Sequence, residues 1–218
     1  YPSCKGLINI PVETLESSQA SDPGIHKQKT TEPQRPTVFS TPDATSNIQI
    51  AAYQEVKQSS WLDPRTLTTA TVMRHLVEIV EVEGPIIARR AYSIYANRAG
   101  LRRVGGQLRE IFNKAVNEAL SASHILAENE WSSSDQEDNV LRATGALGIS
   151  VRMRGSRTLD QIPPREIAAL MGLILAKSPV SEEPLFRKVL QVYAIGRLTA
   201  KAQDILTFAR RIWAEQAE

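Results

Sequence analysis

The chain has 218 residues, with 26 Lys and Arg against 24 Asp and Glu, so its net charge of +2 names no class of partner by itself. Where the charge clusters matters more than its sum. The single cysteine, Cys4, excludes an internal disulfide framework and a Cys-rich zinc site, and His26, His75 and His124 show no ligand spacing.

No apolar run approaches the roughly 18 residues that span a bilayer, so no membrane partner is expected. No charged segment followed by an apolar one opens the chain, so no signal peptide is expected either. A lone thiol fits a reducing, cytoplasmic setting. The start at Tyr1 rather than Met points to a longer parent chain.

Residues 1–50 are rich in Ser, Thr, Pro, Gln and Asp and keep no apolar period, so they are expected to form a disordered linker or tail. A first domain is expected over 51–158. Its lead-in carries Tyr53, Val56 and Trp61-Leu62, which can dock on the helices beyond it, and Asp63-Pro64 signals a turn or helix start. Val72, Leu76, Ile79 and Val80 then predict a helix from about Leu67 to Val82, stopped by Gly84-Pro85. Ile87, Ala91, Ile94 and Tyr95 predict a second helix, broken between Asn97 and Gly100. Val104, Leu108, Ile111 and Ala115 predict a third.

The front of that third helix is basic, with Arg98, Arg102, Arg103 and Arg109 around Gly105-Gly106. Two short helices joined by a Gly turn, the second led by arginines, is how a helix-turn-helix reads in sequence. Beyond an acidic loop (SSSDQEDN), Ile149, Val151 and Met153 alternate with Ser150, Arg152 and Arg154, a period of two that predicts a strand. Three helices followed by a small basic ribbon, with Arg157 beside it, is a winged-helix-like layout.

A second tri-helical unit is expected over 159–218. The Pro-Pro step in DQIPPR opens its first helix, and Ser178-Pro179 closes it. The two halves share a Pro stop (Pro85, Pro179), a Tyr-Ala pair (Tyr95-Ala96, Tyr193-Ala194), a Gly turn (Gly100, Gly196) and a following Leu (Leu101, Leu198). These shared positions point to duplicated architecture. The second copy lacks the arginine cluster. The fold class expected is therefore mainly α with a small β ribbon, in tandem tri-helical units.

Catalytic signatures do not appear. No Walker-type phosphate loop is present, no nucleophile–base order is readable, and Glu81 and Glu83, two apart, do not share a helix face. Glu83 reads instead as a partner of Arg89, Arg90 or the next helix start. No catalytic residue, metal or cofactor is expected.

Glu83-Gly84-Pro85-Ile86, then Arg90, then Gly100-Leu101-Arg102-Arg103-Val104-Gly105, together with Val151-Arg152, Arg154, Ile162-Pro163-Pro164 and Glu166-Ile167, resembles an uncharacterised accessory domain. That domain lies near the C-terminus of large superfamily 1 helicase-like ATPases, some of which also carry a restriction-endonuclease-like fold. The resemblance covers about residues 70–213. Ile87 stands where the family often has His, and Gln107 where it has a basic residue.

The resemblance implies an accessory module beside a helicase or ATPase core, in the same or a partner chain. The expected function is non-catalytic binding of nucleic acid, DNA in the first instance. Arg98, Arg102, Arg103, Gln107 and Arg109 would contact phosphates from the recognition helix, and Arg152, Arg154 and Arg157 from the wing. Glu83, Gly84, Pro85, Arg90, Gly100 and Gly105 would shape the fold. The alternative is a protein-interaction module docking on the motor or a partner; a stand-alone transcription regulator would need a dimer seam that the sequence does not display.

Overall fold

The computed structural model describes residues 50–57, 59–146 and 148–217. The tail expected over 1–50 therefore lies, but for Ile50, outside the described residues, as do Cys4 and His26.

Helix α1 (Thr69–Glu83) begins where the Thr68 hydroxyl accepts from the Thr71 amide, and it buries Val72, Leu76, Ile79 and Val80. It stops at Gly84, where a Cβ would collide with the Val80 carbonyl. The Gly84–Pro85 peptide is cis. Strand β1 (Ile86–Ile87) is buried and leads straight into α2 (Ala88–Arg98), which buries Ala91, Tyr92, Tyr95 and Ala96. A turn through Gly100, in the left-handed region at φ 72°, precedes α3 (Gly106–Ser121). Leu108, Phe112, Ala115, Val116 and Ala119 face α1 and α2 in one core.

Strands β2 (Ile125–Glu128) and β3 (Val140–Ala143) come next in the chain. The sheet is antiparallel with order β1-β3-β2; Ile86 lies opposite Leu141, and Ile125 opposite Ala143. The ribbon thus lies earlier than the period-two pattern of residues 149–154 predicts. That segment forms no strand: its extended backbone meets the lead-in through a single parallel bridge between Ala51 and Arg152. The loop between β2 and β3 is acidic, and it folds back onto the helices. Asp138 pairs with Arg89, Glu137 lies 3.0 Å from Arg109, and Gln136 donates to Asn117 at 2.7 Å.

A second core forms from α4 (Pro164–Lys177), α5 (Glu182–Val192) and α6 (Ala200–Ala217). Pro164 at its first helical position suits α4, whose first-turn amides need no intrahelical partner. Ile167, Leu170, Met171, Leu185, Phe186, Val189 and Leu206 fill this core. The protein is mainly helical with a small three-stranded antiparallel sheet. Among the described residues no helix is long and apolar enough to cross a membrane, and no group of three His, Cys, Asp or Glu could hold a metal ion.

Candidate functional site

Part of the signature, Glu83 to Pro85, Arg90, Arg152 and Glu166, meets in space with Arg157. Glu83 ends α1, Arg90 lies in the first turn of α2, Arg152 and Arg157 come from the segment before α4, and Glu166 sits in the first turn of α4. All are buried, Arg157 and Glu166 to 1% exposure. Arg90 donates from Nε and Nη2 to Glu83 at 3.2 and 3.1 Å, from Nη1 to Gln161 at 3.0 Å and from Nη2 to Ser156 at 3.1 Å. Arg152 donates to the Glu83, Gly84 and Pro85 carbonyls at 2.8, 2.9 and 2.8 Å, and to Glu166 at 2.6 Å. Arg157 donates to both Glu166 oxygens at 3.0 Å and to the Met153 carbonyl at 2.8 Å.

Three guanidiniums thus face two carboxylates, and Tyr53 sits where the imbalance falls. Its ring centroid lies 4.0 Å from the Arg157 guanidinium carbon, 5.3 Å from that of Arg152 and 5.7 Å from that of Arg90. An aromatic face stabilises a desolvated cation through its quadrupole. The Tyr53 hydroxyl donates to Glu83 at 2.5 Å. Burial, and then that hydrogen bond, push the phenol well above its ordinary range.

A second ionic cluster holds the start of α4 from the sheet side. Glu130 accepts from the Arg165 amide at 2.8 Å and from Arg142 at 3.1 Å, while Glu128 lies 3.0 Å from Arg142 and 2.6 Å from Arg165. Burial raises the Glu130 carboxyl above its usual value, against the pull of the Arg165 amide and Arg142. A carboxylate at a helix N-terminus complements the helix dipole, so Glu130 and Glu166 both favour this placement of α4.

These contacts correct part of the expected nucleic-acid surface. Arg152 and Arg157 are not on a wing; they are buried counter-ions of Glu166, out of reach of a phosphate chain. Arg154 is half-buried and donates to the Arg157 carbonyl at 3.2 Å. Arg98 grips the lead-in through the Val56 and Lys57 carbonyls at 2.6 and 2.5 Å, with its guanidinium over Trp61 at 4.6 Å. Arg109 is exposed but paired with Glu137. Arg102 and Arg103 are not on the helix: they precede it, in the loop before Gly105, which leads α3 without a side-chain cap. Both are exposed, as is Gln107, and neither arginine has an ion-pair partner among the described residues.

Glu83 does pair with Arg90, while Arg89 pairs with Asp138. Gly84 and Pro85 offer their carbonyls to Arg152. Gly100 shapes the turn at φ 72°, whereas Gly105 has an ordinary φ of −90° and open space where a Cβ would stand, so nothing around it requires a glycine. Sequence reasoning read Tyr53 only as a docking residue of the lead-in, and missed Gln161 and the Glu130–Arg142 pair. The readable signal for the centre was charge inside an apolar frame, since Arg90 stands among the apolar positions Ile87, Ala91 and Ile94.

An open polar cavity of about 620 Å³ lies beside the centre, lined by Glu55, Glu83, Arg90, Asn97, Arg98 and Ser156 among others. Its arginines are already engaged by the groups named above. The three guanidiniums and two carboxylates of the buried centre are held to one another and to neighbouring carbonyls by these contacts. No family model, no curated protein and no solved structure matches the chain.

Proposed function

We propose that the chain is a non-catalytic accessory module that contacts the phosphate backbone of nucleic acid, DNA in the first instance, at the approach to α3. The element order α1-β1-α2-α3-β2-β3 with sheet order β1-β3-β2 supports a winged-helix-like first unit, and the separate α4–α6 core supports a second tri-helical one. The observation that carries the reading is the exposed, unpaired Arg102–Arg103, immediately ahead of a helix start with no side-chain cap. Cationic side chains beside free helix amides suit a phosphate oxygen. The resemblance of the signature residues supports a setting beside a helicase-like motor.

The experiment is a salt titration of binding to a labelled DNA duplex. Arg102→Glu with Arg103→Glu is expected to weaken binding and flatten the slope of log affinity against log salt by about 0.9 for each phosphate the side chains no longer neutralise. An unchanged slope rejects the site.

A second reading, docking on a protein, is favoured by two observations. The acidic β2–β3 loop holds Glu137 and Asp138 where a wing would meet phosphates, and Leu126 on the outer strand β2 is 50% exposed. A wild-type chain that fails to bind duplex even at low salt selects this reading.

A further inference from the structure

Residues 50–57 form an extended strap that crosses the buried centre and is held the way a bound peptide is held. Its backbone is read at both ends. The Ala51 amide donates to the Val151 carbonyl at 3.0 Å and the Met153 amide donates to the Ala51 carbonyl at 2.8 Å. Further on, the Val56 amide donates to Glu83 at 3.2 Å and Arg98 donates to the Val56 carbonyl at 2.6 Å.

Between these points the strap inserts Tyr53 into a shaped slot. Gly155, at φ 58°, forms one wall: a Cβ there would lie 2.5 Å from the Tyr53 ring. Arg157 stacks on the ring, and Glu83 receives the hydroxyl. Two residues on, the Glu55 carboxylate accepts from the Ser156 amide at 3.0 Å; the Ser156 side chain, and then that amide, hold it below the usual carboxylate range. Every one of these partners is at least 27 positions away in the chain. Backbone hydrogen bonds at each end of an extended segment, one end by a β-bridge at Ala51 and the other by the Glu83 and Arg98 side chains at Val56, with a pocket for one side chain between them, resemble the logic of β-strand addition.

We propose that this groove is a peptide-recognition site filled in cis. Its ligand pattern is Tyr-x-Glu-Val in extended form, and the strap is a displaceable autoinhibitory occupant. The trans ligand is a segment of another protein with that pattern: a tyrosine to fill the arginine-lined slot, a carboxylate two residues on for the Ser156 amide, and an aliphatic residue next. Three guanidiniums against two carboxylates leave the slot cationic, which suits an acidic, aromatic ligand. The inference is independent of the nucleic-acid reading, since neither Arg102 nor Arg103 touches the strap.

The test uses the full chain carrying Tyr53→Ala and Glu55→Ala, which weakens the cis occupant and leaves the groove intact. The probe is a fluorescein-labelled synthetic peptide of residues 50–57. The variant is expected to bind it at least about tenfold more tightly than the wild-type chain, whose groove is occupied for most of the time. A probe with Ala in place of its Tyr should not bind. A variant that melts cooperatively yet ignores the probe, or binds both probes alike, overturns the proposal. Hydrogen exchange on the wild-type chain decides the matter even if the variant does not fold. The amides of Ala51, Val56 and Met153 should exchange by local opening, well before those of the α4 core. Exchange of all of them together, at the rate of global unfolding, overturns the proposal.

Discussion

Arg157 and Glu166 form a two-bond ion pair with both side chains 1% exposed: Nη1 and Nη2 of the arginine reach separate carboxylate oxygens at 3.0 Å each. Glu166 also receives Arg152 at 2.6 Å, so one carboxylate balances two buried cations. Removing it leaves both in a medium that cannot solvate them. Glu166→Gln keeps the shape and removes the charge. It is expected to destabilise the fold by about 3–5 kcal/mol, the range for breaking a buried ion pair from one side. Urea unfolding reads this as a lower midpoint at an unchanged slope. A loss under about 1 kcal/mol would mean that the centre is hydrated and the arginines are compensated by water.

Glu130 is also buried, yet its loss should matter less. Arg142 keeps Glu128 at 3.0 Å as a second carboxylate, and burial already disfavours the Glu130 charge. Glu130→Gln is expected to cost about 1 kcal/mol, the scale of one hydrogen bond rather than an uncompensated charge. The sign of its pH dependence is set by the raised carboxyl. Above pH 4.5 the folded state holds this proton longer than the unfolded one, so the group's contribution to stability declines as pH rises through its folded value. The gap between wild type and Glu130→Gln should therefore narrow as pH rises, and a gap that widens contradicts the assignment.

The helices were legible because their apolar rhythm is set by burial alone. Val72, Leu76, Ile79 and Val80, and later Leu170, Met171 and Ile174, all lie in the cores that their spacing implies. The centre was not legible, because it depends on pairs far apart in the chain: Arg152 and Glu83 lie 69 positions apart. Arginine also usually solvates a surface, so Arg152 and Arg157 read as wing cations. Val151, Arg152 and Met153 have the period of a strand, but Arg152 is buried beside Val151 while Met153 is 57% exposed, so hydropathy misplaces the last two. Tertiary ion pairing with Glu166 decides which side faces in. Arg102 and Arg103 were legible as exposed cations, although their place is the loop and not the helix.

Gly155 and Tyr53 should behave as one unit. An alanine at 155 meets both an unfavourable φ and the Tyr53 ring. Gly155→Ala is expected to cost about 1–2 kcal/mol, as for a left-handed position occupied by a residue with a Cβ. Tyr53→Ala removes the ring, and with it the collision. In the double variant the two losses should fall short of their sum by about 0.5 kcal/mol or more, the coupling of residues that touch. Strict additivity in chemical denaturation would place the ring away from Gly155.

His75 ties stability to pH near neutrality. Its ring stacks on Trp61 at 4.5 Å with planes 6° apart, and Nδ1 lies 3.2 Å from the Tyr95 hydroxyl. Burial lowers its pKa from the ordinary 6.5, the Glu78 carboxylate opposes that, and the Arg74 cation adds to it. Arg98 already places a guanidinium over the same indole at 4.6 Å, so an imidazolium would bring a second cation to that ring. Because the folded value is depressed, the unfolded chain takes up the proton first as pH falls. Stability is then full above pH 6.5 and declines as pH drops through the lower folded value. The wild-type chain should lose unfolding free energy between about pH 7 and 5. His75→Phe, which preserves a flat apolar ring against Trp61, should reduce that slope while Glu78→Gln should steepen it. If the slope is the same with phenylalanine at position 75, the titration responsible lies elsewhere in the chain.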